Sequence, residues 1–250
     1  MINLNSGSQK SKNPQSDTIN EHIDAAIVAK REAVPRRKYL GASMLGKSCA
    51  RAVQYEFLQT KKDPGSDFSA RVYRIFQMGH ELEEDIVQWF RDAGFDLRNE
   101  KPNGEQFGFE TAGGLIQGHI DGVFCGAPEG SDLTVPCLWE CKSANQSKFN
   151  SFKKHGVKKA NPQYYAQANL YMAYMELSDA PAVFTVINKN DAEIYHELIP
   201  FDAEEAQRIS DRAVNIIQAG ETLLPRVSDD PGWFECRWCS YQKRCFNVLT

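Results

Sequence analysis

Asp121, Glu140 and Lys142 are the residues whose types and spacing could do chemistry. They sit in Gly118-His119-Ile120-Asp121-Gly122 and in Trp139-Glu140-Cys141-Lys142-Ser143. Both stretches read as β-strands, Leu115 to Phe124 and Leu133 to Lys142. Side chains alternate along a strand, so Glu140 and Lys142 share one face and Cys141 takes the other. A hairpin between the two strands brings Asp121 alongside. Two carboxylates and an ammonium in one small space can bind Mg²⁺ or Mn²⁺, activate water and stabilise a phosphoryl transition state. The triplet alone is equally compatible with a salt-bridge set on an exposed hairpin.

Asp, a spacer and Glu-x-Lys resemble the signature of the PD-(D/E)XK nuclease superfamily. Ile120 stands where the family name has Pro. The resemblance implies an α/β (α+β) fold with a restriction-endonuclease-like core, a mixed β-sheet flanked by helices in the order αβββαβ. It covers roughly residues 40 to 245.

Upstream, Phe76 to Phe90 reads as a helix, with apolar residues at Phe76, Leu82, Ile86, Val87 and Phe90 and an acidic opposite side. Its Gly79-His80-Glu81-Leu82-Glu83 stretch resembles the first-helix motif of RecB-type and lambda-type exonucleases. There a His or a Glu on that helix adds a metal ligand, which implies such roles for His80 and Glu83. These two lie three apart and share a helical face, and His80 with Glu84 fits as well. A solvated acidic face is the plain alternative.

Downstream, Pro162 to Met175 reads as an amphipathic helix. It matches the Gln-x-x-x-Tyr motif of RecB-type nucleases, with Gln167 and Tyr171 at i and i+4 on one face. Gln167 is expected to steady Lys142, the water or the DNA backbone, and Tyr171 to hydrogen-bond or stack. Gln163, one turn earlier, competes for the same position. In this superfamily the residue between Glu and Lys also offers its backbone carbonyl to the metal, which implies that role for Cys141.

Cys236-x-x-Cys239-x5-Cys245 closes the sequence, and Cys-x-x-Cys outside a secretory context points to metal. Cys49 is the natural fourth ligand. One Cys before the core and three after it resemble iron–sulfur RecB-type nucleases, including the CRISPR-adaptation nucleases, and imply a [4Fe–4S] cluster on Cys49, Cys236, Cys239 and Cys245. A four-cysteine Zn²⁺ site is the alternative. Joining Cys49 to the tail closes a large loop, so that 40–60 and 232–250 form one cluster-binding lobe. Cys125, Cys137 and Cys141 read as small buried hydrophobes.

The chain has 250 residues, a net charge of −4, 42% hydrophobic residues and seven Cys. That suits one domain over 21–250 after a disordered tail at 1–20. No secretory signal, long apolar run or Gly-x4-Gly-Lys-[Ser/Thr] loop is evident, so a cytoplasmic location and no membrane are expected, and an ATPase of that kind is excluded. Although the net charge is negative, no acid lies between Glu140 and Glu176, where Lys142, Lys148, Lys153, Lys154, Lys158 and Lys159 fall. Ala33 to Tyr55 is also acid-free. Backbone binding needs local positive charge rather than a basic protein, so Lys148, Lys153, Lys154, Lys158 and Lys159 are the candidate DNA contacts. Phe149, Phe152, Tyr164 and Tyr165 either stack on unpaired bases or belong to the core.

The elements that must position these groups follow in order. Helices are expected at Glu21–Ala33, Ser43–Leu58 (carrying Cys49) and Ser69–Ala93. Strands come next at Phe95–Arg98, an extra to the core, then at Gly104–Glu110, Leu115–Phe124 and Leu133–Lys142. Lys153–Ala160 reads as a basic loop or lid and Pro162–Leu177 as a helix. Strands at Ala182–Ile187 and Glu193–Leu198 and a helix at Ala203–Gly220 complete the series. The expected activity is a Mg²⁺- or Mn²⁺-dependent exonuclease acting on DNA ends in recombination, repair or end processing, with a recombination or single-strand-binding protein as partner. Endonuclease action stays open, and the alternative class is a non-catalytic DNA-binding or assembly module.

Overall fold

A computed structural model describes residues 12–247. Asn13 caps the first helix, α1 (Pro14–Glu32), by accepting the Gln15 amide, and Pro14 occupies the first helical position, where no amide is needed. The helix expected from Glu21 thus begins seven residues earlier, inside the stretch read as tail. The rest of that tail, residues 1–11, lies outside the described residues. No residue of α1 is buried, and an Asp24–Arg74 ion pair helps tie it to the long helix below.

The short strand β1 (Leu40–Gly41) leads into α2 (Ala42–Leu45) and α3 (Ala50–Phe57). The expected Ser43–Leu58 helix is therefore two helices, broken at 46–49, with Cys49 as the N-cap of the second rather than inside it. Next come α4 (Ala70–Asp92), β2 (Asp96–Arg98), β3 (Gly108–Thr111), β4 (Ile116–His119), β5 (Gly122–Gly126) and β6 (Cys137–Ala144). Helices α5 (Gln146–Ala160) and α6 (Pro162–Tyr174) follow, then β7 (Ala182–Asn188), β8 (Ile194–Ile199), α7 (Ala203–Ala219), α8 (Phe234–Arg237) and α9 (Gln242–Cys245).

The strands form two sheets. One has five strands in the order β2-β5-β6-β7-β8, antiparallel except for the parallel β6–β7 pair. The other has three, β1-β4-β3. The three strands expected between the helices are therefore five, shared by two sheets. The segment near Phe95–Arg98, read as an extra, is an edge of the main sheet, whereas the 104–110 strand shortens to β3 and leaves it. The expected Leu115–Phe124 strand breaks at Ile120-Asp121 into β4 and β5, one in each sheet.

Alternation sorts the β6 side chains. Cys137, Trp139 and Cys141 join Ile86 and Val87 of α4 in one core, while Leu138 and Ala144 join residues of α5, α6 and α7 in the other. Helices thus cover both faces, as a largely buried central strand requires. The Trp139 indole donates to Thr185 Oγ1 at 2.9 Å, and Thr185 meets His196 Nδ1 at 3.0 Å, so the polar atoms of this layer are paired.

The expected basic loop at 153–160 is helical, the second part of α5. Asn145 caps this helix by accepting the Lys148 amide, and Phe149, Phe152 and Val157 bury its apolar side. Gly156 (φ 72°) bends it, and the Glu197 carboxylate accepts the Val157 amide freed by the bend. No described helix is long and apolar enough to cross a membrane.

Candidate active site

The break between β4 and β5 is what aims Asp121. Ile120 is buried, its amide bonds Phe107 O and its carbonyl accepts from Gln106, so the chain is pinned where it changes sheets. β5–β6 pairing includes Gly122 opposite Trp139, and the Asp121 Oδ2 then accepts the Cys141 amide at 2.8 Å. A side chain thus replaces a ladder partner for that amide and holds the carboxylate beside Glu140 and Lys142. Gly118 is needed two residues before Ile120: a Cβ there would lie 2.7 Å from the Tyr171 ring and 2.5 Å from Phe109.

Lys142 Nζ lies 3.3 Å from Asp121 Oδ2, hydrogen-bonds Glu140 Oε1 and reaches the Cys141 carbonyl at 2.8 Å. Glu140 is fully buried. Gln167 Nε2 donates to Glu140 Oε1 at 2.7 Å and to the Tyr171 hydroxyl at 3.2 Å. Gln167 therefore holds Glu140 and not Lys142, and the competing Gln163 is turned away, donating to Ser43 O at 2.7 Å. Tyr164, read as a stacking or core residue, has Lys142 Nζ 5.5 Å from its ring centroid. Its position on the first turn of a helix facing the end of the Glu-x-Lys strand was the available signal.

Three carboxylates crowd one ammonium. Burial first, and then the charge of Asp121, push Glu140 up to about 8 against the pull of Lys142. The same two causes push Glu83 up to about 7. For Lys142, burial works against the charged form, but Asp121 and Glu140 outweigh it and hold the ammonium well above the usual lysine range. Glu83 thus lies within electrostatic reach of Asp121 and Lys142. His80, on the same helix, is exposed and enters none of the site's described hydrogen bonds or ion pairs.

The Glu140 Oε2 atom is buried with no hydrogen-bond partner. An orphaned carboxylate oxygen beside two further carboxylates is the donor chemistry that Mg²⁺ or Mn²⁺ takes. As the side chains stand, however, no three His, Cys, Asp or Glu among the described residues converge into a metal nest. Lys142 lies between Asp121 and Glu140 instead.

All seven cysteines are free thiols. Cys125 is exposed, contrary to its reading as a buried hydrophobe, whereas Cys137 and Cys141 are buried. Burial pushes the Cys239 thiol up to about 11, and Cys49, Cys245 and Cys236 add to it, so the four candidate ligands lie within electrostatic reach of one another. Asp63, itself buried, docks the tail by accepting the Lys243 amide at 2.6 Å and the Arg244 amide at 3.2 Å. Arg51 Nη1 lies 3.7 Å from Cys245 Sγ. Arg212 has Nε and Nη2 buried without partners, and Cys49 acts on its charge.

The candidate DNA lysines divide. Lys148 bonds Ala160 O, Lys153 pairs with Glu193, and Lys158 pairs with Asp202 at 3.0 Å. Lys154 and Lys159 are exposed. Phe149 and Phe152 are core residues, not stacking platforms.

Two solved structures share this fold. The crystal structure of SSO0001 matches with a TM-score of 0.50 over 93% of this chain and 96% of its own, at 16% identity. The crystal structure of an alkaline exonuclease, LHK-Exo from Laribacter hongkongensis, matches with a TM-score of 0.50 over 92% of this chain and 100% of its own, at 16% identity. No family model and no curated protein matches the chain.

Proposed function

We propose that this chain is a divalent-cation-dependent DNA exonuclease that hydrolyses phosphodiester bonds at DNA ends. The observation that carries this is Lys142 held between Asp121 and the fully buried Glu140, whose second oxygen has no partner. The likeness in fold to an alkaline exonuclease supports it. Asp121, Glu140 and Glu83, with the Cys141 carbonyl, are the groups that would hold Mg²⁺ or Mn²⁺. Bound there, the cation supplies a Lewis acid for the attacking water and the scissile phosphate.

The chain's own groups do the rest. Lys142 orients the water and offsets charge growing on the phosphate. Gln167 fixes Glu140 Oε1 through its amide, which leaves Oε2 free, and Tyr171 fixes Gln167 in turn. Lys154 and Lys159 are free to meet the DNA backbone.

Cys49, Cys236, Cys239 and Cys245 do not converge into a metal site as their side chains stand; they are the groups that would hold a [4Fe–4S] cluster or Zn²⁺. The supporting observation is the orphaned guanidinium of Arg212 near Cys49, together with Arg51 at Cys245. Its part is structural, tying the tail to α3. A recombination or single-strand-binding protein is the partner class this activity suits.

The test is degradation of end-labelled single- and double-stranded DNA with Mg²⁺ or Mn²⁺ by anaerobically purified protein, compared with Lys142→Met. Loss of label at one end, absent in the variant, is the expected result and gives the polarity. Folded wild type that binds DNA and cuts with neither metal would replace the enzyme by a binding module.

A further inference from the structure

The α8 turn leaves three large aromatic side chains in water. Trp233, Phe234 and Trp238 are 44%, 46% and 47% exposed, within six residues of one another. Trp233 and Trp238 are the caps of the turn, and Phe234 and Trp238 stand i and i+4. The Trp233 and Phe234 ring centroids are 5.1 Å apart. Soluble chains seldom expose so much contiguous flat apolar surface without a ligand for it.

The charge around these rings selects the ligand. Arg237, next to Trp238 in the chain, is exposed, as are Lys243 and, next to Ser48, Lys47. Of the nearby acids, Asp229 pairs with Arg226 at 2.7 Å, while Glu235 and Asp230 are turned to neutral donors within the lobe, the Ser48 hydroxyl and the Gly232 amide (2.8 Å). Exposed rings beside Arg237, with Arg237 and Lys243 exposed and in no ion pair among the described residues, suit a flexible polyanion that carries flat apolar faces. Single-stranded nucleic acid has that chemistry, whereas duplex bases are already stacked on each other.

We propose that Trp233, Phe234 and Trp238 form a base-stacking platform for unpaired DNA, with Arg237 and Lys243 on its phosphates; this rests on the DNA nuclease reading. Contacts lead from the platform to the candidate active site. Glu235 holds Ser48, Gly46 abuts Gln163 at the start of α6, and Gln167 one turn later holds Glu140. In this proposal the platform takes the single-stranded part of a DNA end, and the test below reads that binding directly.

The test uses the full chain in EDTA, with a fluorescent oligo(dT) and a blunt duplex as probes. Trp233→Ala/Phe234→Ala/Trp238→Ala removes the platform, and Trp233→Phe/Trp238→Phe keeps flat rings. Stacking energies for such rings predict oligo(dT) binding at least about tenfold weaker in the triple Ala variant. Duplex binding should change less than about threefold, and the Phe variant should retain most oligo(dT) affinity. Equal oligo(dT) affinity in the triple variant and wild type overturns the platform, while wild-type cleavage in a parallel Mg²⁺ assay leaves the nuclease reading standing. A concentration-dependent dimer that the triple variant abolishes, with DNA binding unchanged, also overturns it and assigns the rings to a second copy. Wild type that neither binds nor cuts DNA removes both readings together.

Discussion

Lys142→Met should bind divalent cations more tightly than wild type while losing cleavage. In the fold, Lys142 acts as a resident counterion, 3.3 Å from Asp121 Oδ2 and hydrogen-bonded to Glu140 Oε1. A unit charge pair at that separation is worth about 5 kcal/mol at an effective dielectric of about 20. A dication must displace this attraction or share the carboxylates with it. Rehydration of the ammonium, whose side chain is 20% exposed, reduces the difference to about 1.5–3 kcal/mol, a ten- to hundredfold gain in affinity. Protons compete as well, because Glu83 and Glu140 sit near 7 and 8 and rise further without Lys142. Mn²⁺ titration calorimetry at about pH 9 limits that competition, by the usual protonation balance. A folded variant whose Mn²⁺ affinity equals or falls below that of wild type would refute the counterion argument, and with it the role given to Lys142.

Two further outcomes follow from buried groups. Gln54, fully buried, donates to Gly220 O at 2.9 Å and Thr222 O at 2.7 Å and accepts the Leu224 amide at 2.9 Å. Gln54→Leu strands three backbone groups, at about 1–3 kcal/mol each. Thermal unfolding should drop by about 6–12 °C for a total near 3 kcal/mol; a drop under about 2 °C contradicts the bonding scheme. Glu83 and Glu140 are raised above the ordinary carboxylate value, so the folded state holds their protons where the unfolded state has lost them. Their stabilising contribution is complete below about pH 4 and is lost as pH rises through 7 to 8. In EDTA, wild type should therefore lose more thermal stability between about pH 6 and 9 than Glu83→Gln; parallel curves would rule this out.

Periodicity made the long elements legible. α4 and α6 begin within one residue of their expected starts, because capping and Pro162 mark them locally. β7, β8 and α7 were similarly plain. The Asp121, Glu140 and Lys142 grouping could be anticipated from strand alternation, whereas Gln167 came with the resemblance to RecB-type nucleases, because helical spacing left Gln163 on the same face. The division of the Leu115–Phe124 run between two sheets could not, since Gly118 and Ile120 read as ordinary strand residues until Tyr171 and Gln106 supply the contacts that bend the chain there. Asn13-Pro14 starts a helix by cap chemistry, and Gly46 with Ser48 breaks the run through Cys49 into two helices. Lys153–Ala160 reads as a loop because its charges dominate; it is the continuation of a helix that Phe149, Phe152 and Val157, spaced for burial, anchor from Gln146 onward. Whether Glu83 or His80 faces Asp121 depends on how α4 is rotated against the sheet, which its own sequence leaves open across an acidic face; in the fold it is Glu83 that feels the Asp121 charge.

The Cys141 peptide offers a native spectroscopic window on the site. Its amide proton points at Asp121 Oδ2 and its carbonyl at Lys142 Nζ, while its thiol lies in the core on the other face. One backbone resonance thus senses both the carboxylate and the ammonium without any label among the polar side chains. Selective ¹⁵N-Cys labelling yields seven signals, from the seven cysteines. The Cys141 signal should shift when a cation draws on Asp121, reporting the chemistry of the candidate site in a chain whose side chains stay unmodified.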